Sequence, residues 1–162
     1  MITIESKTQT QERTFHDLPP GLKLCLWGLR HEVFALASQR HVCPMVMRSF
    51  SDAGIPETQA LLRFNIQQLS AWSVRPMEFN HPNIITFNAD EQVWLACLER
   101  VADDPTASVR DLLGGVCFPD GDEAITRSLQ RLARYVSPKL PILFAAATHP
   151  ARVASGQSVT LH

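Results

Sequence analysis

After Pro19-Pro20, the residues Leu22, Cys25, Leu26, Leu29, Val33, Leu36 and Ala37 recur at three- and four-residue intervals, the period of a helix with an apolar stripe. The two prolines suit its first turn, where their missing N–H groups would have no intrahelical partner. A second stripe, Leu24, Trp27, His31 and Phe34, keeps the same period, and Lys23, Arg30, Glu32 and Gln39 fill the polar face that remains. A surface helix needs one apolar stripe. This helix is therefore expected to be either central in the molecule or shared with a partner.

Beyond a break near Arg40-His41, Val42, Val46, Phe50 and Ala53 share one helical face, with Pro44 at the helix entry and Gly54 as a left-handed cap. A third helix follows Ile55-Pro56-Glu57, its core face carrying Leu62, Ile66 and Leu69, and Arg75-Pro76 stops it. The stretch "MEFNHPNIITF" reads as a small β-hairpin: Met77 and Phe79 alternate, Asn80 to Asn83 turn, and Ile84, Ile85 and Phe87 resume. Asn88 with Glu91 matches a capping box, which starts helix four near Ala89. Helix four runs through Val93, Trp94, Cys97, Leu98 and Val101 to Asp103-Asp104-Pro105. A short helix through Val109, Leu112 and Leu113 ends at Gly114-Gly115. A last helix from Asp122 to Val136 has Ile125, Leu129, Leu132 and Val136 as its core stripe, and "LPILFAAA" is apolar enough to pack back on the bundle.

The expected architecture is all-α: a single-domain bundle of about five or six helices with a small β-hairpin insertion between helices three and four. Residues 1–16 and 148–162 are polar and aperiodic and read as mobile tails, leaving 17–147 as the helical domain. The run from Arg75-Pro76 through the hairpin to Asp90-Glu91, and on into the short helix, resembles a group of small bacterial helical proteins. That resemblance covers about half the chain, implies a helical fold, and carries over no activity and no ligand or catalytic residue.

With 162 residues the chain can bury a sizeable core without metal or disulfide staples. Its 15 Lys and Arg against 16 Asp and Glu leave no global field to draw nucleic acid or anionic lipid. No run approaches the roughly 18 apolar residues of a membrane span, and the first residues lack the pattern of a secretory signal, so a cytoplasmic protein is expected. The cysteines Cys25, Cys43, Cys97 and Cys117 show no CxxC spacing and are expected to be free thiols.

The chemistry-bearing candidates are few. His31, His41 and Cys43, with Cys25 nearby, offer imidazole and thiolate ligands for zinc or haem iron, and Cys43-Pro44 would present the sulfur on a rigid turn. They lack four-ligand spacing, so a helix entry accounts better for Cys43, and no cofactor is expected. Arg127, Arg131 and Arg134 share one side of the last helix and suggest a nucleic-acid face. Nearby Asp120, Asp122 and Glu123 oppose phosphate, which favours a solvated basic face. The acidic pairs Asp90-Glu91 and Asp103-Asp104, like Asp120 to Glu123, fall at helix starts or stops, where capping explains carboxylates. There is no GxSxG, HExxH, phosphate loop or dinucleotide fingerprint.

What remains is a non-enzymatic protein-interaction or regulatory module. Its rivals are a small-molecule, metal or haem-responsive helical sensor and an enzyme with no local motif. Leu24, Trp27, His31 and Phe34 are the expected interface, joining a homodimer or a protein partner. A polar cavity in the fold would favour the sensor.

Overall fold

A computed structural model describes residues 13–135 and 158–161. It is a mostly helical single domain. The α-helices are α1 (Pro20–Ala37), α2 (Pro44–Asp52), α3 (Thr58–Trp72), α4 (Ala89–Asp103), α5 (Arg110–Leu113) and α6 (Asp122–Ala133). Two strands, β1 (Met77–Asn80) and β2 (Ser158–Leu161), complete the described elements with short 3-10 turns at Phe15–Asp17 and Pro119–Gly121. No described helix is long and apolar enough to cross a membrane.

Local chemistry sets most of the boundaries. Asn88 accepts from the Glu91 N–H at 2.9 Å while Glu91 accepts from the Asn88 N–H at 3.2 Å, closing the capping box. Pro44 is the first residue of α2, and Gly54 takes the left-handed φ of 74° that ends it. α6 packs against both α3 and α4, and α1 packs against α3. Leu62, Ile66 and Leu69 meet Leu98, Ile125, Leu129 and Leu132 in the core that these helices share.

A polar thread runs through that core. Trp94 Nε1 donates to Asn65 Oδ1 at 2.8 Å, Asn65 Nδ2 donates to Ser128 Oγ at 2.6 Å, and the Ser128 hydroxyl donates to the Ile125 carbonyl at 2.8 Å. Each buried donor has an acceptor, so α4, α3 and α6 are tied in one rotational setting. Gly28 brings α1 against its neighbours: a Cβ there would lie 2.5 Å from the Phe50 ring and 3.0 Å from Leu62.

The greatest departure from the sequence expectation is in α1. Arg30 and Glu32, expected on a polar face, are 1% and 0% exposed, whereas Leu36 is 42% exposed and Ala37 faces solvent. Arg30 Nε and Nη2 donate to the two Glu91 carboxylate oxygens at 2.7 and 2.9 Å. Its remaining reach goes to the Ile84 and Thr86 carbonyls. Glu91 also accepts from the Asn80 N–H at 2.9 Å.

These bonds explain why the expected hairpin is absent. The carbonyls of 84 and 86 are taken by Arg30, and the Ile85 carbonyl accepts from the Phe15 N–H at 2.8 Å, so the stretch after the turn has no ladder to offer β1. β1 pairs instead with β2 in antiparallel register, Met77 opposite Leu161 and Asn80 opposite Ser158. Within the stretches expected as tails, Phe15 is buried, Arg13 bridges to Glu99 at 2.6 Å, and 158–161 is a strand. The rest of both tails, and "LPILFAAA", lie outside the described residues.

Three stability measurements follow. Glu91→Gln leaves the Arg30 guanidinium buried without a counter-charge and should cost about 3–5 kcal/mol in chemical denaturation. Arg127→Ala, which breaks an exposed pair with Glu123, should cost about 0.5 kcal/mol or less. Gly28→Ala, which in an open helix would gain up to about 1 kcal/mol, should instead destabilise by about 1–3 kcal/mol through overlap with Phe50.

Candidate functional site

The α1–α2 connection is held by local hydrogen bonds and one special backbone position. The Ser38 N–H donates to the Phe34 carbonyl and the Arg40 N–H to the Ala35 carbonyl at 2.8 Å, with Gln39 between them at φ 52°. A non-glycine residue in the left-handed region is uncommon, and here it turns the chain sharply out of α1. Val42 is buried and anchors the loop, which leaves His41 and Cys43 exposed on either side of it. The loop becomes a ridge between two recesses, and His41 lines both.

The first recess, about 290 Å³, lies between α1, this loop and the turn after β1. His31 and Phe34 come from α1, Arg40, His41 and Cys43 from the loop, and His81 from the turn. The Ile84 N–H donates to the His81 carbonyl at 3.0 Å, and the Asn83 N–H lies 3.4 Å from His81 Nδ1 as donor. With Nδ1 accepting, Nε2 is left as the donor atom of the His81 ring. Edge-to-face contacts place the rings: Trp27 with His31 at 4.7 Å between centroids, and Phe34 with His81 at 5.1 Å. Burial, aided by His81, pushes the His31 imidazole down to about 4, so it is neutral at pH 7.

The second recess, about 450 Å³, opens between α2 and α3. Met47, Ala60 and Phe64 supply apolar surface, and Arg63 and Gln67 stand beside them. Glu32 is fully buried beneath, accepting from Gln59 Nε2 at 2.8 Å and from Arg63 Nε at 3.2 Å. The Arg131 guanidinium sits 5.8 Å from the Phe64 ring centroid.

Against the sequence expectations the outcome is mixed. His31, His41 and Cys43 do line one recess, joined by His81, which sequence spacing did not single out. Among the described residues, however, no three His, Cys, Asp or Glu side chains are placed to hold a metal ion. Cys25 is not with them: it is in the core, its thiol pushed up to about 12 by burial, like that of Cys97. All four cysteines are free thiols.

The expected interface stripe is divided. Leu24 is 3% exposed and belongs to the core, while Trp27, His31 and Phe34 are half-buried and engaged with rings of this same chain. The α1 helix also packs against both β1 and β2.

The arginine row is divided too: Arg127 pairs with Glu123, Arg131 covers Phe64, and Arg134 is exposed. The carboxylates do more than cap. Asp90 is gripped by Arg75 at 2.5 and 2.9 Å and accepts from the Glu78 N–H at 2.8 Å, which holds its pKa below the usual carboxylate range and braces β1.

No family model, curated protein or solved structure matches this chain.

The His31 shift predicts a pH dependence. Its folded pKa lies below the ordinary value of 6.5, so the unfolded chain binds the proton more tightly and stability falls as pH drops from about 6.5 toward about 4. Because this side chain retains solvent contact, the loss should be on the order of 1 kcal/mol. Urea denaturation across that window should show a flatter profile for His31→Gln than for the unmodified protein.

Proposed function

We propose that this chain is a non-enzymatic interaction module that docks a segment of another protein in the groove between α2 and α3. The observation that carries this reading is the exposure of large apolar side chains around that groove. Met47 is 53% and Phe64 38% exposed, and both line the groove. Methionine, aromatic and arginine side chains are enriched at interface cores, and methionine adapts its shape to different partners.

The chemistry of the groove defines the partner. Its lining has apolar surface, the half-exposed Arg63, His41 and glutamine amides, and no carboxylate. Arg131 adds a cation above Phe64 and has no ion pair among the described residues. The complementary segment is an amphipathic helix with one apolar stripe and a carboxylate beside it, laid along the groove.

In this reading the docking surface is not the second stripe of α1. The rings of that stripe already contact one another or the β1 turn, whereas Met47 and Phe64 remain exposed beside the groove.

The test is Phe64→Glu, which places a charge on the exposed groove wall without entering the core. Helical circular dichroism should be unchanged. A protein that the unmodified chain binds from an extract of its source cells, crosslinking at position 60 or 67, should bind the variant at least about tenfold more weakly. Equal binding by both would reject the groove. Self-association lost in the variant would assign the groove to a second copy of this chain instead.

A further inference from the structure

We propose that the recess between α1, the 38–43 loop and the β1 turn is a binding site for a small organic monocarboxylate with an apolar body. This site is distinct from the α2/α3 groove, although His41 lies on the boundary of both.

Size is the first observation. At about 290 Å³ the recess is far larger than an ion requires and lies at the lower edge of the range for small-molecule pockets. The side chains that face it do not converge as metal ligands do. An occupant must therefore be a molecule with a body as well as a polar group.

Charge is the second. The lining holds one permanent cation, Arg40, and no Asp or Glu. Arg40 is exposed and has no ion pair among the described residues, unlike Arg13, Arg30, Arg63, Arg75, Arg100, Arg110 and Arg127. A planar guanidinium is matched to a carboxylate through two parallel hydrogen bonds.

The third observation is the disposition of donors and apolar surface. His81 accepts the Asn83 N–H at Nδ1, so its Nε2 is the donor face of that ring. The His31 imidazole, kept neutral, also has one N–H to give. Phe34, Ala35 and Pro82 form an apolar wall beside these groups. The lining thus combines a cation and imidazole donors with hydrocarbon, which fits a carboxylate head on a short aliphatic or aromatic body. A phosphate monoester or other dianion would bring a second charge for which the recess has no second permanent cation.

Titration of the 162-residue chain, followed through the histidine imidazole resonances by NMR, tests this. The probes are acetate, butyrate, benzoate and phenylacetate, with benzamide as the neutral counterpart, inorganic phosphate as the dianion, and zinc chloride. At least one of the larger carboxylates should shift the His31 and His81 signals saturably, and bind at least about tenfold more tightly than benzamide or phosphate. Arg40→Gln, a change at an exposed position, should weaken that carboxylate about tenfold or more while the circular dichroism is unchanged. Failure of all the carboxylates to shift these signals would overturn the proposal. So would equal binding of benzamide, preferential binding of phosphate, or saturable shifts with zinc alone.

Discussion

Two charges placed out of water, Arg30 and Glu91, organise the part of the molecule that joins α1, β1 and the start of α4. Removing both from solvent costs several kcal/mol, and their mutual attraction offsets this only when every other donor and acceptor is also met. That condition is what links the pair to the surrounding backbone. The carboxylate takes the N–H of Asn80 and of its own cap residue Asn88, and the guanidinium takes two carbonyls of the segment that follows the turn. Helix α1, the start of α4, the end of β1 and the 84–86 segment are thereby fixed to one another. The value of the pair is in this mutual placement, since a buried ion pair adds little net stability over a well-packed apolar replacement.

The first recess is a consequence of that placement. His81 and Pro82 lie between two points held by the pair, Asn80 before them and Ile84 after them. The turn is thus held against the face of α1 that carries His31 and Phe34, and Phe34 meets the His81 ring there. On the other side of the ridge, a second buried carboxylate, Glu32, draws Gln59 and Arg63 of α3 toward α1. Both recesses therefore owe a wall to a charged α1 residue directed inward. Their common wall, His41, sits on a loop set by the left-handed Gln39.

Much of the helical framework was legible from the sequence because its causes are local. The α1 start at Pro20, the α2 start at Pro44, the Gly54 cap and the Asn88–Glu91 capping box involve residues at most a few positions apart. The core faces of α3 and α6 follow from a 3.6-residue period. Candidate site chemistry was legible in part: His31, His41 and Cys43 drew notice as residue types, and they do line one recess. His81 reads from sequence as a turn residue, and Arg30 and Glu32 read as solvent-facing, because a charged side chain is ordinarily exposed.

By itself, then, the sequence determined where most helices begin, that Leu62, Ile66 and Leu69 of α3 and Ile125, Leu129 and Leu132 of α6 face inward, and that four cysteines need form no bridge. Tertiary structure alone decided that Arg30 finds its counter-charge 61 positions away, that β1 pairs with residues 158–161 in place of the nearby 84–87, and that Leu24 enters the core while Leu36 leaves it. The physical reason is the range of the forces involved. Helical period and capping act within a few residues, whereas the burial of a charge or the choice of a strand partner depends on which distant groups arrive to satisfy it.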